Sequence, residues 1–494
     1  MLSFLSNPYL WSLFIILFLI KRQFFPPKTS KNLPPSPPRL PIIGNFHQLG
    51  SLYHQFLHSL ALRHGPLMLI HLGNVPTLVV SSPEAAREIM KTHDIIFASR
   101  PELKLIKKLL YNSKTISGSQ YGDHWRQLKS IMVLQLLSTK RVRFFRSIRE
   151  QETGIMLNII HESSNKSVNL SDLFVSYTNK VTWQVVLGRK YGEGEDGKKA
   201  KQLFKDFLLM LGSFSIADYI PYLAWVDRVS GFDRKVERIK TEIDEFVEGV
   251  LAKHKKKPKH VIEHESFVDI LLNLQKEDAA GVLDKTNMKA LLLDAYSAGT
   301  DTTATVLEWV MAELLKNPIV MKKAQAEVRG VLVGKDGITE EDIEKMTYLK
   351  AVIKETLRIH PPLPMLVPKV ASKDVKVMGY DIPEGTSVMT NAWAIGRDPK
   401  HWDNPEEFRP ERFLGSKIDF KGHDFELIPF GAGRRICPGI TFAMATNENL
   451  LATLINKFDW KLANGEKEEE LDMSESPGVV IRKRVPLLVV AIPV

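Results

Sequence analysis

The chain has 494 residues, of which 44% are hydrophobic, 25% charged and 9% aromatic, a globular mix that can bury a large core and excludes disorder over most of the length. Its single cysteine, Cys437, excludes an intramolecular disulfide framework and any zinc site of several thiolates. Net charge is +10, and Lys21, Arg22, Lys28, Lys31 and Arg39 supply half of it from a stretch without acidic residues; the rest is too mildly basic for a nucleic-acid binder with one dense electropositive face, so no nucleic-acid partner is expected.

In chain order, Leu2 to Ile20 is apolar apart from Ser3, Ser6, Asn7, Pro8 and Ser12. As a helix those positions reach about 28 Å, close to the ~30 Å hydrocarbon core of a bilayer. The positive charges follow the run and no small-x-small cleavage site is present, which favours an uncleaved transmembrane anchor over residues 1–22 rather than a cleaved signal peptide. Lys21, Arg22, Lys28 and Lys31 would keep the C-terminal side in the cytosol. Residues 23–45 form a basic, proline-rich hinge around Leu33-Pro34-Pro35-Ser36-Pro37-Pro38-Arg39. Prolines fix φ and remove amide donors, so a stiff extended spacer is expected there. Residues 46–494 read as one domain, since no long linker divides them.

Helical periodicity dominates that domain: around Trp125 to Arg149, Thr182 to Leu187, Lys201 to Leu211, Lys235 to His254, a long run from Lys285 to Leu315, then Val320 to Leu332, Tyr348 to Ile359 and Ile440 to Asn456. Strand patterns are short: Leu67 to Leu72, Thr77 to Val80, Val375 to Val377, Ser387 to Thr390 and Pro486 to Ile492. A mainly α fold with small β-sheets follows. Gly192 to Gly197 and Lys255 to Lys259 read as exposed loops.

Several chemical motifs fail on inspection. Gly192, Gly194 and Gly197 match a dinucleotide pattern, but Glu193, Glu195 and Asp196 would repel phosphate. Gly330 to Asp336 misses the phosphate-loop spacing, and His54 and His58 lack a zincin glutamate and a third ligand.

The informative cluster is Pro429-Phe430-Gly431-Ala432-Gly433-Arg434-Arg435-Ile436-Cys437-Pro438-Gly439, followed by an apolar helical run. The glycines permit tight turns and close backbone approach, while the helix start is expected to direct amide donors at the sulfur and stabilise a thiolate; the flanking arginines and three glycines argue against a cysteine that is merely a small buried hydrophobe. Phe430, Gly433, Arg435, Cys437 and Gly439 meet F-x-x-G-x-R-x-C-x-G in full, and here the chain resembles the cytochrome P450 haem-thiolate monooxygenases, in particular the plant A-type microsomal family. Three further motifs of that family occur in its order: Ala298-Gly299-Thr300-Asp301-Thr302-Thr303, Glu355-Thr356-Leu357-Arg358 and Pro410-Glu411-Arg412-Phe413.

The resemblance implies a cytochrome P450 fold behind the anchor, with residues 46–494 as the haem-binding catalytic domain. It makes Cys437 the axial ligand of haem b, with a thiolate that donates electron density and favours O–O cleavage. By the same resemblance, Phe430 packs beside the sulfur, Arg435, Trp125 and Arg126 bind haem propionates, and Glu355, Arg358 and Arg412 form a buried scaffold. Thr302, backed by Asp301, becomes the distal proton relay. One departure is Lys369, where relatives commonly have arginine; it can neutralise a propionate without a bidentate fork.

Electrons are expected from NADPH through a separate NADPH–cytochrome P450 reductase, with cytochrome b5 as an optional second donor. Arg126, Lys129, Lys140, Arg141, Arg143 and Arg146 are candidates for docking that reductase. By position in the family, Ser99 to Ser117, Leu203 to Phe214, Leu291 to Thr302, Leu363 to Val367 and Pro477 to Val480 line a pocket for a lipophilic small molecule. The expected location is the endoplasmic reticulum membrane, single-pass, with the domain facing the cytosol. Two rivals remain: a reductase-independent haem-thiolate isomerase or dehydratase of an oxygenated lipid, which the intact Asp301-Thr302 pair disfavours, and a non-catalytic haem sensor.

Overall fold

The computed structural model describes residues 31–188, 194–256, 265–335 and 337–494. The anchor expected over residues 1–22 lies outside these, as do residues 257–259 of the loop expected at 255–259, whose first residue, Lys255, ends a helix, and residues 192–193 of the loop expected at 192–197. Among the described residues no single helix is long and apolar enough to cross a membrane.

The principal helices are α1 Tyr53–His64, α2 Lys104–Leu109, α3 Asp123–Ser130, α4 Arg146–Glu162, α5 Leu170–Leu187, α6 Gly194–Leu211, α7 Phe232–Lys255, α8 Phe267–Glu277, α9 Lys285–Gly299, α10 Asp301–Lys316, α11 Pro318–Leu332, α12 Thr347–Ile359 and α13 Ile440–Lys457. Their apolar stripes explain them. In α7, Val236, Ile239, Ile243, Val247 and Val250 recur at three- and four-residue steps and are all buried. The helix α10 is buried almost all round, from Thr303 to Leu315, and stands at the centre of the main hydrophobic core with α5, α9, α12 and α13 around it.

Three small sheets flank the helical body. Strands β1 Leu67–Leu72 and β2 Val75–Val80 pair antiparallel, and β2 runs parallel to β7 Ser387–Thr390, which is edged by β4 Lys369–Val370. A hairpin joins β5 Val375–Val377 to β6 Tyr380–Ile382. The third sheet has the order β3 Ser167–Asn169, β9 Leu488–Pro493, β8 Phe458–Leu462.

Some expectations are corrected. The Trp125 to Arg149 segment is not one helix: α3 passes into a π-helical stretch, Ile131–Leu136, followed by a short helix Thr139–Phe144 before α4. Gly194 to Gly197 is not loop but the first turn of α6. The proline-rich run is extended but does not stand free from Lys31 onward. Leu69 N–H donates to Pro35 O at 2.9 Å and Asn45 N–H to His71 O at 2.7 Å, while Gly44 bridges Leu72, so this stretch is laid along β1.

Candidate functional site

The loop around Cys437 is closed by its own backbone. Cys437 N–H donates to Phe430 O at 3.0 Å and Ile436 N–H to Gly433 O at 3.1 Å. Gly433 has φ +67°, and a Cβ there would stand 2.2 Å from Met90 O, so only glycine lets the loop seat on the segment before Asp94. Gly439 N–H, one of the amides left unpaired where α13 begins, points at Cys437 Sγ at 3.4 Å. Phe430 meets Phe420 edge-on at 5.4 Å.

The two arginines of the loop turn away from the sulfur. Arg434 turns to Asp94, 3.4 Å away, and Arg435 donates to Ala98 O at 2.6 Å, Ile116 O at 2.8 Å and Ser119 O. Burial pushes the Cys437 thiol up, and the Gly439 amide and Lys129 offset only part of that. The loop alone therefore keeps a thiol, which ionises when a metal takes the sulfur.

Beside the loop stands a cluster of four cations. Arg435 lies over the Trp125 ring at 4.3 Å and Lys129 Nζ at 5.0 Å, while Trp125 Nε1–H donates to Ile116 O at 3.2 Å. Arg100 is buried and bonds Ser117 O, Val367 O and Pro368 O at 2.7–3.0 Å. Lys369 Nζ is buried without any partner. Burial, then the neighbouring cations, push Lys369 down to about 7 and Lys129 to about 8. Burial, then Arg100, takes Arg435 to about 9, with Asp294 and Asp94 offsetting little. Burial lowers Arg100 to about 10, with Asp294 raising it. Buried cations so poorly compensated call for anions. Two carboxylates of haem, with its iron on the one thiol, fit this donor set.

Arg126 is not brought to the cluster. One residue on from Trp125, it is turned by about 100° around α3, stays 56% exposed and pairs with Asp123. Arg100, which no motif argument singled out, takes the inward place; its only sequence signal is a cation inside the run Phe97-Ala98-Ser99-Arg100-Pro101.

Opposite in the chain's logic is the break between α9 and α10, where Thr300 has φ −90°, ψ −69°. Hydroxyls compete for backbone carbonyls here: Thr302 Oγ1–H donates to Ala298 O at 2.7 Å and Thr303 Oγ1–H to Gly299 O at 3.0 Å. From α5, Thr182 Oγ1–H adds a bond to Gly299 O at 3.4 Å. Ala298 is exposed and Thr302 partly so in the midst of a buried helix, which leaves this face bordered by open space. Asp301 does not meet the Thr302 hydroxyl; its Oδ1 takes Arg482 Nη2–H at 2.5 Å.

The scaffold triad is assembled and dry. Glu355 receives Arg358 in a fork at 2.7 and 2.8 Å, Arg412 Nε–H at 2.8 Å and Arg409 N–H at 2.8 Å. Both Glu355 and Arg358 side chains are fully buried, so a solvated surface pair is excluded. Of the basic residues considered for docking a partner, Arg141, Arg143 and Arg146 are engaged with Glu265, Glu340 and Glu150, and Lys129 donates to Arg434 O. Lys140 is exposed, and Arg126 and Arg143 stay on the surface although each pairs with a carboxylate.

The cytochrome P450 family model matches residues 34–489. The chain is 50% identical to (+)-menthofuran synthase of Mentha piperita, covering 98% of this chain and 97% of that one. It is 48% identical to norfluorocurarine oxidase of a Strychnos species, covering 99% of each. A solved zebrafish cytochrome P450 with abiraterone matches with a TM-score of 0.76 at 26% identity, over 89% of this chain and 99% of that one. A family match over nearly the whole chain, on a mainly helical body with one thiol held in its signature loop, makes this protein a member of the cytochrome P450 family of haem-dependent monooxygenases.

Proposed function

We propose that the protein is a membrane-anchored monooxygenase that inserts one oxygen atom of O2 into a lipophilic plant specialised metabolite, a terpenoid, alkaloid or phenylpropanoid. Electrons come from NADPH through a separate reductase, and the domain faces the cytosol from the endoplasmic reticulum membrane. The observation that carries the chemistry is Cys437, the only thiol in the chain, on a loop locked by Phe430 and Gly433 beside uncompensated buried cations. Haem b, held through that sulfur, supplies the oxygen activation that side chains cannot.

The chain's own part is positional. Arg100, Arg435, Lys129 and Lys369 would hold the carboxylates of the cofactor, and Trp125 keeps two of those cations in register. The Thr302 hydroxyl stands on the open face of α10, bonded to Ala298 O, and holds a proton there. The names of two relatives, a menthofuran synthase and a norfluorocurarine oxidase, support a small plant metabolite as substrate.

The reduced protein with carbon monoxide should show the long-wavelength absorption typical of thiolate ligation, and Cys437→Ser should abolish it. Microsomes holding the protein and a reductase, screened against such metabolites, should consume NADPH and form a product carrying oxygen from labelled O2. A band unchanged in Cys437→Ser would sink the ligand assignment; turnover without reductase would move the protein to the isomerase class.

A further inference from the structure

The segment from Ser474 to Arg484 folds back on itself. Ser476 N–H donates to Arg482 O and Arg484 N–H to Ser474 O, each at 2.8 Å, and Glu475 bridges Lys483. The tip of this hairpin carries Pro477 to Val480, one of the stretches expected to line the pocket, and it reaches another: a Cβ on Gly212, just past α6, would stand 2.7 Å from Val479 Cγ2. Val479 is nevertheless 44% exposed, so the tip lies against the end of α6 without being packed into it. The hairpin is held at its base instead. Glu475 Oε2 pairs with His54 Nε2 and accepts from Gln55 Nε2, both at 2.8 Å, and these two residues belong to α1 at the other end of the chain. The His54 side chain is fully buried and that of Glu475 is 9% exposed. Burial works against a charge on Glu475, but His54, then His360 and Gln55, more than offset it and hold the carboxyl below its usual range. Asn391 Nδ2–H fixes α1 in turn, donating to His54 O at 2.8 Å. The returning strand has a separate hold at Ile481, whose N–H donates to Pro362 O and whose carbonyl accepts Trp309 Nε1–H from α10, both at 3.0 Å.

We propose that Glu475 is a specificity-determining positioning residue: clamped by His54 and Gln55 of α1, it sets how far the hairpin tip closes on the end of α6, and so how bulky a lipophilic substrate the pocket takes. The proposal rests on the monooxygenase reading. Glu475 stands at the base of the hairpin and acts on the pocket only through the tip. Removing one partner of a buried ion pair leaves the other charge uncompensated, and water entering to solvate it parts the hairpin from α1. Trp309 and Pro362 still keep the returning strand in place, so the tip shifts about that second hold while the domain stays folded. The width of the pocket on the α6 side is thereby governed from α1, by residues outside every stretch expected to line it.

Azoles that bind haem iron directly read the pocket whatever the substrate is. Absorbance titrations of the haem-loaded full chain with imidazole and with clotrimazole compare the parent with Glu475→Gln, His54→Ala and His54→Gln. Imidazole is too small to meet the tip, and its Kd should stay unchanged in every variant. Glu475→Gln and His54→Ala should bind clotrimazole several-fold more tightly relative to imidazole, as the tip gives way to a bulky ligand. His54→Gln, which can still donate to the carboxylate, should restore most of the parent's ratio. Amide hydrogen exchange over residues 476–484 should speed up in Glu475→Gln and His54→Ala but not in His54→Gln, with α10 and α13 unchanged, which separates a released hairpin from a loosened fold. The parent's clotrimazole-to-imidazole ratio in Glu475→Gln and His54→Ala would overturn the proposal. So would a changed ratio with the hairpin exchanging as in the parent, or with exchange raised throughout the domain. A parent protein that retains no haem, or shows no azole shift, would instead bring down the reading on which the clamp rests.

Discussion

Thr302 and Thr303 differ by one position in the chain and by their surroundings. Both donate back to a carbonyl one turn earlier, but Thr303 is 2% exposed while Thr302 borders the open face. Removing the Thr302 hydroxyl takes away a proton held at the reaction space and leaves the Cys437 loop untouched. Thr302→Ala should therefore go on consuming NADPH while releasing hydrogen peroxide, with less product per NADPH. Thr303→Ala should cost only a little stability. Full coupling in Thr302→Ala would mean that a substrate hydroxyl or another group carries the proton. His71 offers a residue-scale test of stability: burial, then Arg39, hold its imidazole down to about 4 from 6.5. Between those values the unfolded chain binds a proton that the folded chain refuses, so stability falls as pH drops through that window. His71→Thr should flatten that loss by roughly 1–2 kcal/mol after allowance for partial solvent exposure, read from urea unfolding at pH 7 and pH 5.

At the scale of elements, α12 and the short helix Pro410–Phe413 are joined through one carboxylate. Glu355→Ala would strand Arg358 and Arg412 as buried charges, costing roughly 3–5 kcal/mol. The expected result is a protein that fails to retain haem and melts early. A stable, haem-loaded and merely slow Glu355→Ala would show that the pair is not scaffold. Elements with a long apolar stripe, such as α7 and the α9–α10 run, were legible in the sequence because burial on one side imposes its period. The strand β8 was not, although Phe458 to Leu462 alternates buried and exposed throughout; it starts directly at the end of α13 with no Gly or Pro between them. The π-helical stretch after α3 was equally hidden, since widening a helix leaves no mark on its apolar period. Motif spacing reached Cys437, Arg435 and Glu355, whereas Arg100, Glu475 and Arg482 come to their places only through contacts between distant segments.

For the whole molecule, the question is how the domain is tied to its proposed anchor. Residues 31–45 are docked on β1 through Pro35, Gly44 and Asn45, and Asn32 N–H donates to Asp381 at 2.7 Å, so the tether proper is the stretch before Lys31. Deleting residues 1–22 should release a soluble protein that still holds haem. Deleting residues 1–45 should not, because β1 loses the bonds along its edge and the sheet that carries Lys369 on β4 loses support. A protein lacking residues 1–22 that still sediments wholly with membranes would show that another surface holds it there. The same topology has a chemical readout at β3. Asn165-Lys166-Ser167 and Asn169-Leu170-Ser171 are glycosylation sequons. Asn169 caps α5 by accepting Asp172 N–H at 3.2 Å, but Asn165 is exposed and sterically open to a transferase. A domain on the cytosolic side never meets that enzyme, so endoglycosidase treatment of the protein from its native cell should leave its mobility unchanged. A shift that disappears in Asn165→Gln would put the domain in the lumen and reverse the orientation read from Lys21, Arg22, Lys28 and Lys31.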